Sequence, residues 1–354
     1  MAATLSAVWY VTRKFPPGTG GMQRLSFHVA DQLRQRCDLA LVRMGHGNWL
    51  LPFFIPWAAT RLMHALLTRR VGVLLLGDPM LSVLGLLAKR FGVPVAVVVH
   101  GLDITYPNAA YQRYLDATFW TRFDAYICIS RHVQALMRAR DASEESCHLI
   151  HPGVDLPAAL PGPRGGGDGE VRLLLLGRLV RRKGALWLVQ HVLPGLVAKF
   201  PGLKLEIVGD GPDREQLASA IATHRLERNV RLHGGVDEPA KAALLASAHL
   251  VLLPNLPVTG DPEGFGLVAL EAAAAGCYVL GSDLEGLRDS IQAPDTGLLL
   301  PAGDAEAWIG AIARTCADLP GLVRKGRHAR DSINETHSWQ RMGERYARVL
   351  DGLA

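Results

Sequence analysis

The chain has 354 residues, 49% hydrophobic and 20% charged, with a formal net charge of +5. That length exceeds one ordinary hydrophobic core and predicts two domains of a globular protein; the basic excess suits an anionic ligand or an anionic membrane surface, whereas no Lys/Arg-rich block interleaved with aromatics supports nucleic-acid binding. The five cysteines (Cys37, Cys128, Cys147, Cys277, Cys316) form no C-x-x-C pair, which predicts reduced, mostly buried thiols in a cytosolic protein and neither a zinc site nor a disulfide framework.

The N-terminal run MAATLSAVWYV lacks a basic n-region and leads into a strand pattern over 7–11, which argues against a signal peptide. A loop over 12–21 (TRKFPPGTGG) follows, then a helix over 22–35 with Leu25, Val29 and Leu33 on one face. Gly20 and Gly21 let backbone come close to a ligand. Gln23 stands where the third glycine of G-x-G-x-x-G would be, so a dinucleotide fingerprint is absent. Residues 49–70 (WLLPFFIPWAATRLMHALLTRR) are interrupted by Pro52, Pro56 and Arg61, which makes a poor spanning helix. Two readings stay open for this segment. Trp49, Phe53, Phe54 and Trp57 ahead of Arg61, Arg69 and Arg70 suit an interfacial amphipathic element, and they equally suit a helix packed on a sheet.

Strand, helix and strand over 73–76, 81–89 and 95–99 read as a βαβ unit with buried parallel strands. The last strand ends in His100-Gly101-Leu102-Asp103, a polar cluster where open α/β sheets place ligands. A strand over 125–129 ends at Ser130-Arg131, and His151 to Asp155 close this half. Residues 156–170 (LPAALPGPRGGGDGE) form the most linker-like stretch. The alternation then restarts: strands over 171–176, 203–208, 230–233 and 250–253, with helices over 185–199, 213–224 and 239–246. A final helix over 338–353 could pack back on the first domain.

Residues 262–282 (PEGFGLVALEAAAAGCYVLGS) organise the second half. They read as a loop holding Glu263, a helix holding Glu271, a glycine stop at Gly276, and a short strand over 278–280. Helix-terminal amides at Gly264 to Val268 suit phosphate, whereas the two carboxylates suit hydroxyl groups. Arg178 and Lys183 sit in a βα loop ahead of a helix, where a guanidinium fork and a lysine suit a diphosphate. No Walker A motif, no D-x-D pair and no H-E-x-x-H occurs, so cations and helix termini rather than a metal would stabilise a departing diphosphate. The glutamate pair could serve as a glycosidase acid and nucleophile, but one member lies mid-helix and the loop beside it suits phosphate.

Together these motifs resemble the retaining glycosyltransferases of family 4, which have the GT-B fold. The resemblance rests on the E-x7-E element Glu263 to Glu271 with its E-G-F-G start, Gly177-Arg178 with Lys183-Gly184, and the V-G-D-G-P run of residues 208–212. The Gly20-Gly21 loop and His100-Gly101 add to it, so it covers nearly the whole chain. It implies an α/β architecture of two Rossmann-like α/β/α domains facing a cleft, with the C-terminal helix packing back on the first. An acceptor domain would take residues 1–160, a nucleotide-sugar donor domain 161–337, and the returning helix 338–354.

The resemblance also implies roles. Glu271 would hold the ribose and Glu263 the donor sugar hydroxyls. Arg178 and Lys183 would bind the diphosphate as it departs, and His100 would meet the donor sugar near the acceptor. Gly20 and Gly21 would bring backbone to the diphosphate. Gly177, Gly209, Gly264, Phe265, Gly266 and Leu267 would complete the donor-binding backbone. The expected activity is retaining, metal-independent transfer from a UDP- or GDP-linked sugar to a glycan or lipid-linked acceptor, in lipopolysaccharide or cell-surface polysaccharide assembly. The expected location is the cytoplasm, with peripheral contact at the inner face of the membrane. A nucleotide-sugar epimerase on the same fold and a non-catalytic nucleotide-sugar-binding regulator are the alternatives. Two departures stand out: Cys277-Tyr278 replaces the usual residue-Pro pair, and Leu284-Glu285-Gly286-Leu287 lacks the family's Gly-Gly-Ile-Pro-Glu run.

Overall fold

Apolar runs of four or five residues bounded by turn signals become buried parallel strands when helices cover both faces of a sheet. The computed structural model describes residues 5–18, 20–45, 47–157 and 171–354. It divides into two compact units, Met1–Gly153 with His337–Ala354, and Val154–Thr336. Most of the linker-like stretch, 158–170, lies outside the described residues.

The first unit contains strands β1 (Leu5–Thr12), β2 (Cys37–Arg43), β3 (Val73–Leu76), β4 (Val95–Val99), β5 (Ala125–Cys128) and β6 (Cys147–Leu149). They pair in parallel in the order β2-β1-β3-β4-β5-β6. Every residue of β3, β4 and β5 is buried, which is why these strands are plain in the sequence. The edge strands β2 and β6 are partly exposed; β6 has only three residues, and β2 holds its apolar run Leu39 to Val42 between Asp38 and Arg43, and neither was expected from the sequence.

The C-terminal helix Trp339–Asp351 belongs to this first unit, packing against the helix Gly21–Arg34 and β1. Ser338 caps it by accepting the Arg341 amide at 3.2 Å. The His28 ring stacks on Trp339 at 3.9 Å, and Met342, Tyr346 and Leu350 are buried beneath it.

The helix Leu51–Leu67 divides its allegiance. Phe54, Ala58, Leu62, Ala65 and Leu66 are buried, while Trp49 ahead of it (74% exposed), Phe53 (72%) and Leu67 (67%) face outward. One face of the helix is thus packed inside the unit, and the other leaves its aromatics exposed. By length and composition Asn48–Leu67 is apolar enough to cross a membrane, with mean hydropathy 1.3, yet its inner face is committed to the core.

The second unit contains β7 (Arg172–Leu176), β8 (Lys204–Val208), β9 (Val230–Gly234), β10 (Leu250–Leu253), β11 (Tyr278–Ser282) and β12 (Gly297–Leu300), in the order β12-β11-β10-β7-β8-β9. All pairings are again parallel. Its core lies on both faces of the sheet, with Trp308, Leu188 and Leu205 on one and Val251, Ala272 and Cys277 on the other. The helix expected over 185–199 is broken into Ala185–Trp187, a π-helical stretch Leu188–Val192, and Leu193–Lys199. Pro194 has no N–H to return to the preceding turn, and the helix widens there.

Leu350 is wholly buried in the returning helix. Leu350→Ala is expected to cost about 2–5 kcal/mol by leaving a cavity, measured as a lower midpoint in urea or thermal unfolding.

Candidate active site

In an open parallel sheet, the loops that leave the carboxyl ends of strands diverge where the strand order reverses, and a crevice opens there. In the second unit that point lies between β7 and β10. The loop after β7 carries Gly177, Arg178 and the short turn Arg181–Lys183. The loop after β10 carries Asn255, Asp261 and Glu263 before the helix Leu267–Ala274.

The two loops touch through backbone. The Leu256 amide donates to the Arg182 carbonyl at 2.8 Å. Gly184 has φ +68, and a Cβ there would lie 1.8 Å from the Pro254 carbonyl oxygen, so only glycine allows this approach. Likewise a Cβ on Gly209, at φ +136, would lie 1.8 Å from the Gly177 carbonyl oxygen, which brings the loop after β8 against the loop after β7.

This contact brings Lys183 to Glu263. The Lys183 ammonium, Arg182 Nη1 (2.5 Å) and Asn255 Nδ2 (2.7 Å) all meet Glu263 Oε2. Asp261 lies 3.2 Å from Arg182 Nε. Glu263 is 7% exposed, Arg182 5% and Asn255 1%. Burial alone would raise the Glu263 carboxyl, but the charges of Lys183 and Arg182 outweigh it and hold the group at about 2. The carboxylate is therefore ionised throughout the physiological range.

The expected residues fall into place unequally. Arg178 is exposed; the arginine on Glu263 is Arg182. Glu271 lies on the helix Leu267–Ala274, with Lys241 Nζ 3.5 Å from its carboxylate. Gly266, at φ +82, heads that helix, Leu267 is its first residue, and Phe265 is buried. Gly264 is half-buried in the loop beside Glu263. Gly276 ends the helix in a left-handed turn, with the amides of Gly276 and Cys277 returning to the carbonyls of Ala273 and Ala272. That is a Schellman stop.

Arg182, Asn255 and Lys241 were not singled out from sequence. Asn255 follows the carboxyl end of β10, a position the sheet rule favours, and could have been found so. In the run Arg181-Arg182-Lys183, nothing local says which cation turns inward.

The first unit has its own polar cluster, after β1, β3 and β4. Arg13 Nε pairs with Asp78 at 2.9 Å, both side chains buried. His100 is 7% exposed. Its Nε2–H donates to the Gly77 carbonyl at 3.0 Å, and its amide donates to both oxygens of Asp103. Burial pushes the Asp103 carboxyl up, against the opposing pull of His100. Gly20, at φ +134, precedes the helix Gly21–Arg34, whose first residue is Gly21.

Comparison with known proteins bears on the family and the fold. A family model described as Glycosyltransferase Family 4 matches residues 19–157, and one described as Glycosyl transferases group 1 matches residues 170–318. The chain belongs to the family 4 glycosyltransferases. Glycogen synthase of Mycobacterium tuberculosis is 32% identical over 204 residues, which cover 57% of this chain and 47% of that protein. The chain thus spans about half the length of this relative. A GDP-mannose-dependent alpha-(1-6)-phosphatidylinositol monomannoside mannosyltransferase of Mycolicibacterium smegmatis is 25% identical, with 97% of each chain covered. Among solved structures, Anabaena HepE in complex with UDP matches with a TM-score of 0.79 at 17% identity, covering 98% of this chain and 100% of that one. That likeness shows the GT-B fold.

The buried and exposed arginines of this family member should separate cleanly. Arg182→Ala removes the shared partner of Glu263 and Asp261 and is expected to cost about 3–5 kcal/mol. Arg178→Ala should stay within about 0.5 kcal/mol of the parent. Chemical denaturation of the two variants checks both.

Proposed function

We propose that this chain is a retaining, metal-independent glycosyltransferase that moves a sugar from a UDP- or GDP-linked donor to a hydroxyl of a glycan or lipid-linked acceptor. The observation that carries the reading is the buried, ionised Glu263 gripped by Lys183, Arg182 and Asn255 where the strand order reverses. All three bonds fall on Oε2, and the reading gives Oε1 to a donor sugar hydroxyl. Glu271 holds the ribose. Arg178 and Lys183 bind the diphosphate, with the first-turn amides of the helix Leu267–Ala274 adding positive potential. The second unit is the donor side and the first the acceptor side, where His100 meets the donor sugar.

In the transfer, the bond between the sugar's anomeric carbon and the diphosphate oxygen breaks with its electron pair on the diphosphate. The acceptor oxygen bonds that carbon on the same face, and its proton passes to the departing diphosphate. Catalysis lies mainly in positioning and in stabilising that leaving charge. The absence of any D-x-D pair from the sequence supports cations in the place of a metal.

The acceptor side of the reading draws on the first unit's outward aromatic face. No Asp or Glu occurs between Asp38 and Asp78, whereas Arg43, Arg61, Arg69 and Arg70 do. Exposed aromatics beside uncompensated cations suit the interface of an anionic bilayer. A lipid-linked acceptor at the inner face of the membrane, in lipopolysaccharide or surface polysaccharide assembly, fits that face. The phosphatidylinositol-based acceptor in the name of the mannosyltransferase relative points the same way.

UDP, GDP and their sugars are the test ligands, since a ligand bound to the native state raises its unfolding midpoint. One of the nucleotide sugars should raise the midpoint and be turned over, without loss in EDTA. Lys183→Ala and Glu263→Ala should each lower kcat by about 10²–10³-fold. Full turnover in both variants would sink the site assignment. Vesicles rich in anionic lipid should sediment the wild type, and Trp57→Ser with Arg61→Glu should release it. Equal binding to neutral vesicles would count against the charge argument.

A further inference from the structure

Glu285 occupies a left-handed backbone conformation, φ +44, of the kind that favours glycine. Strain held at a residue beside a functional site points to something its side chain does there. The Glu285 carboxylate accepts the backbone N–H of Glu263. The next residue, Gly286, donates its own N–H to the Glu263 carbonyl at 3.1 Å. Residues 285 and 286 thus hold both backbone polar groups of Glu263. Gly286 has no room for a side chain, since a Cβ there would lie 2.4 Å from the Gly264 carbonyl oxygen and 2.7 Å from that of Glu263.

Glu263 is consequently fixed from two directions. Lys183, Arg182 and Asn255 take its carboxylate, and the turn after β11 takes its peptide groups. A loop residue has no ladder to fix its backbone, and a polar group on a well-held neighbour supplies the missing restraint. A glycine at 285 would relieve the strained backbone but could not reach the Glu263 amide.

We propose that Glu285 is a positioning residue, whose carboxylate locks the peptide of Glu263 so that the Glu263 carboxylate meets the donor sugar in a fixed place. This rests on the functional reading given above for Glu263. The charged neighbours of Glu285 are Glu263, Asp261 and Arg182, with Lys183 bound to Glu263 behind them. Burial raises the Glu285 carboxyl, and the negative charges of Glu263 and Asp261 add to this against the Glu263 amide and Arg182. A raised carboxyl binds its proton more tightly in the folded state. Its contribution to stability is therefore full below the ordinary glutamate value and is lost as pH rises through the raised one.

Two variants test the assignment, Glu285→Gly and Glu285→Gln, read first without any substrate. Hydrogen exchange at the Glu263 amide should quicken about tenfold or more in the glycine variant and stay within about threefold of wild type in the glutamine variant, which keeps an acceptor oxygen. The unfolding midpoint of wild type should fall relative to that of Glu285→Gln as pH rises from the acid side toward neutrality. With GDP-mannose or UDP-glucose, whichever is turned over, Glu285→Gly should lower kcat about tenfold with KM within about threefold, and Glu285→Gln should restore most of it. An unchanged exchange rate at the Glu263 amide in Glu285→Gly overturns the proposal. So does a glutamine variant as impaired as the glycine one, which would place the carboxylate on the substrate itself. If the wild type turns over no nucleotide sugar, the functional reading falls, while the exchange measurement still decides the role of Glu285 in holding the loop.

Discussion

An ionised carboxylate buried away from water is unfavourable unless cations and hydrogen bonds replace its hydration. Glu263 is such a group, and the architecture of the second unit around it can be derived from that requirement. Its partners come from separate stretches of chain: Arg182 and Lys183 from the loop after β7, and Asn255 from the end of β10. These stretches meet because β10 and β7 are neighbours in a parallel sheet whose order reverses between them. Side chains could not close the distance if backbone held the loops apart. Gly184 against Pro254 and Gly209 against Gly177 remove that obstacle.

The first unit solves a related problem with different residues. Its strand order reverses between β1 and β3, and there Arg13, just past β1, pairs with Asp78, just past β3. Both units therefore set a buried arginine–carboxylate pair at the point where their loops diverge. Such pairs contribute little net stability, because desolvation offsets most of the attraction. Their geometric demand is strict, however, since a planar guanidinium satisfies a carboxylate only in a narrow set of orientations. An ion pair at the crevice thus fixes loop shape where a hydrophobic contact would allow sliding.

How much of this was legible in the sequence follows from what each residue must satisfy. Strands β3, β4 and β5 declared themselves because both their faces are buried and every residue in them is apolar. Strands β2, β6 and β12 are partly exposed and were missed, β2 despite its apolar run Leu39 to Val42. The returning helix and its return to the first domain were both expected, whereas the residues it meets, His28 among them, are set by topology and were not. The stretch 262–282 was read almost as it is built, since glycine stops and helix formers act locally. That Arg182 is the arginine on Glu263 could not be read in the same way. Arg178 and Arg182 are both arginines in one loop, and only the fold around Asn255 and Asp261 turns one of them inward. Glu285 was visible merely as a departure from a glycine-rich run. Its backbone angle and its bond to the Glu263 amide were needed to give that departure a physical content.

The charge balance around Glu263 sharpens what the two arginines can do. Asp261 and Glu263 both lie on Arg182, and Glu285 stands close enough to feel their charge. A buried guanidinium with two carboxylates is already neutralised and has little attraction left for a diphosphate. Arg178 is exposed in the same loop and has no such load. Lys183 stands between these cases. It holds Glu263 through a flexible stem and a point charge without directional demand, so it can turn toward an arriving phosphate while Arg182 and Asn255 keep the carboxylate in place. The buried arginine thus preserves the shape of the site, and under the proposed function the exposed arginine and the lysine are the cations left for the charge that develops on a leaving group.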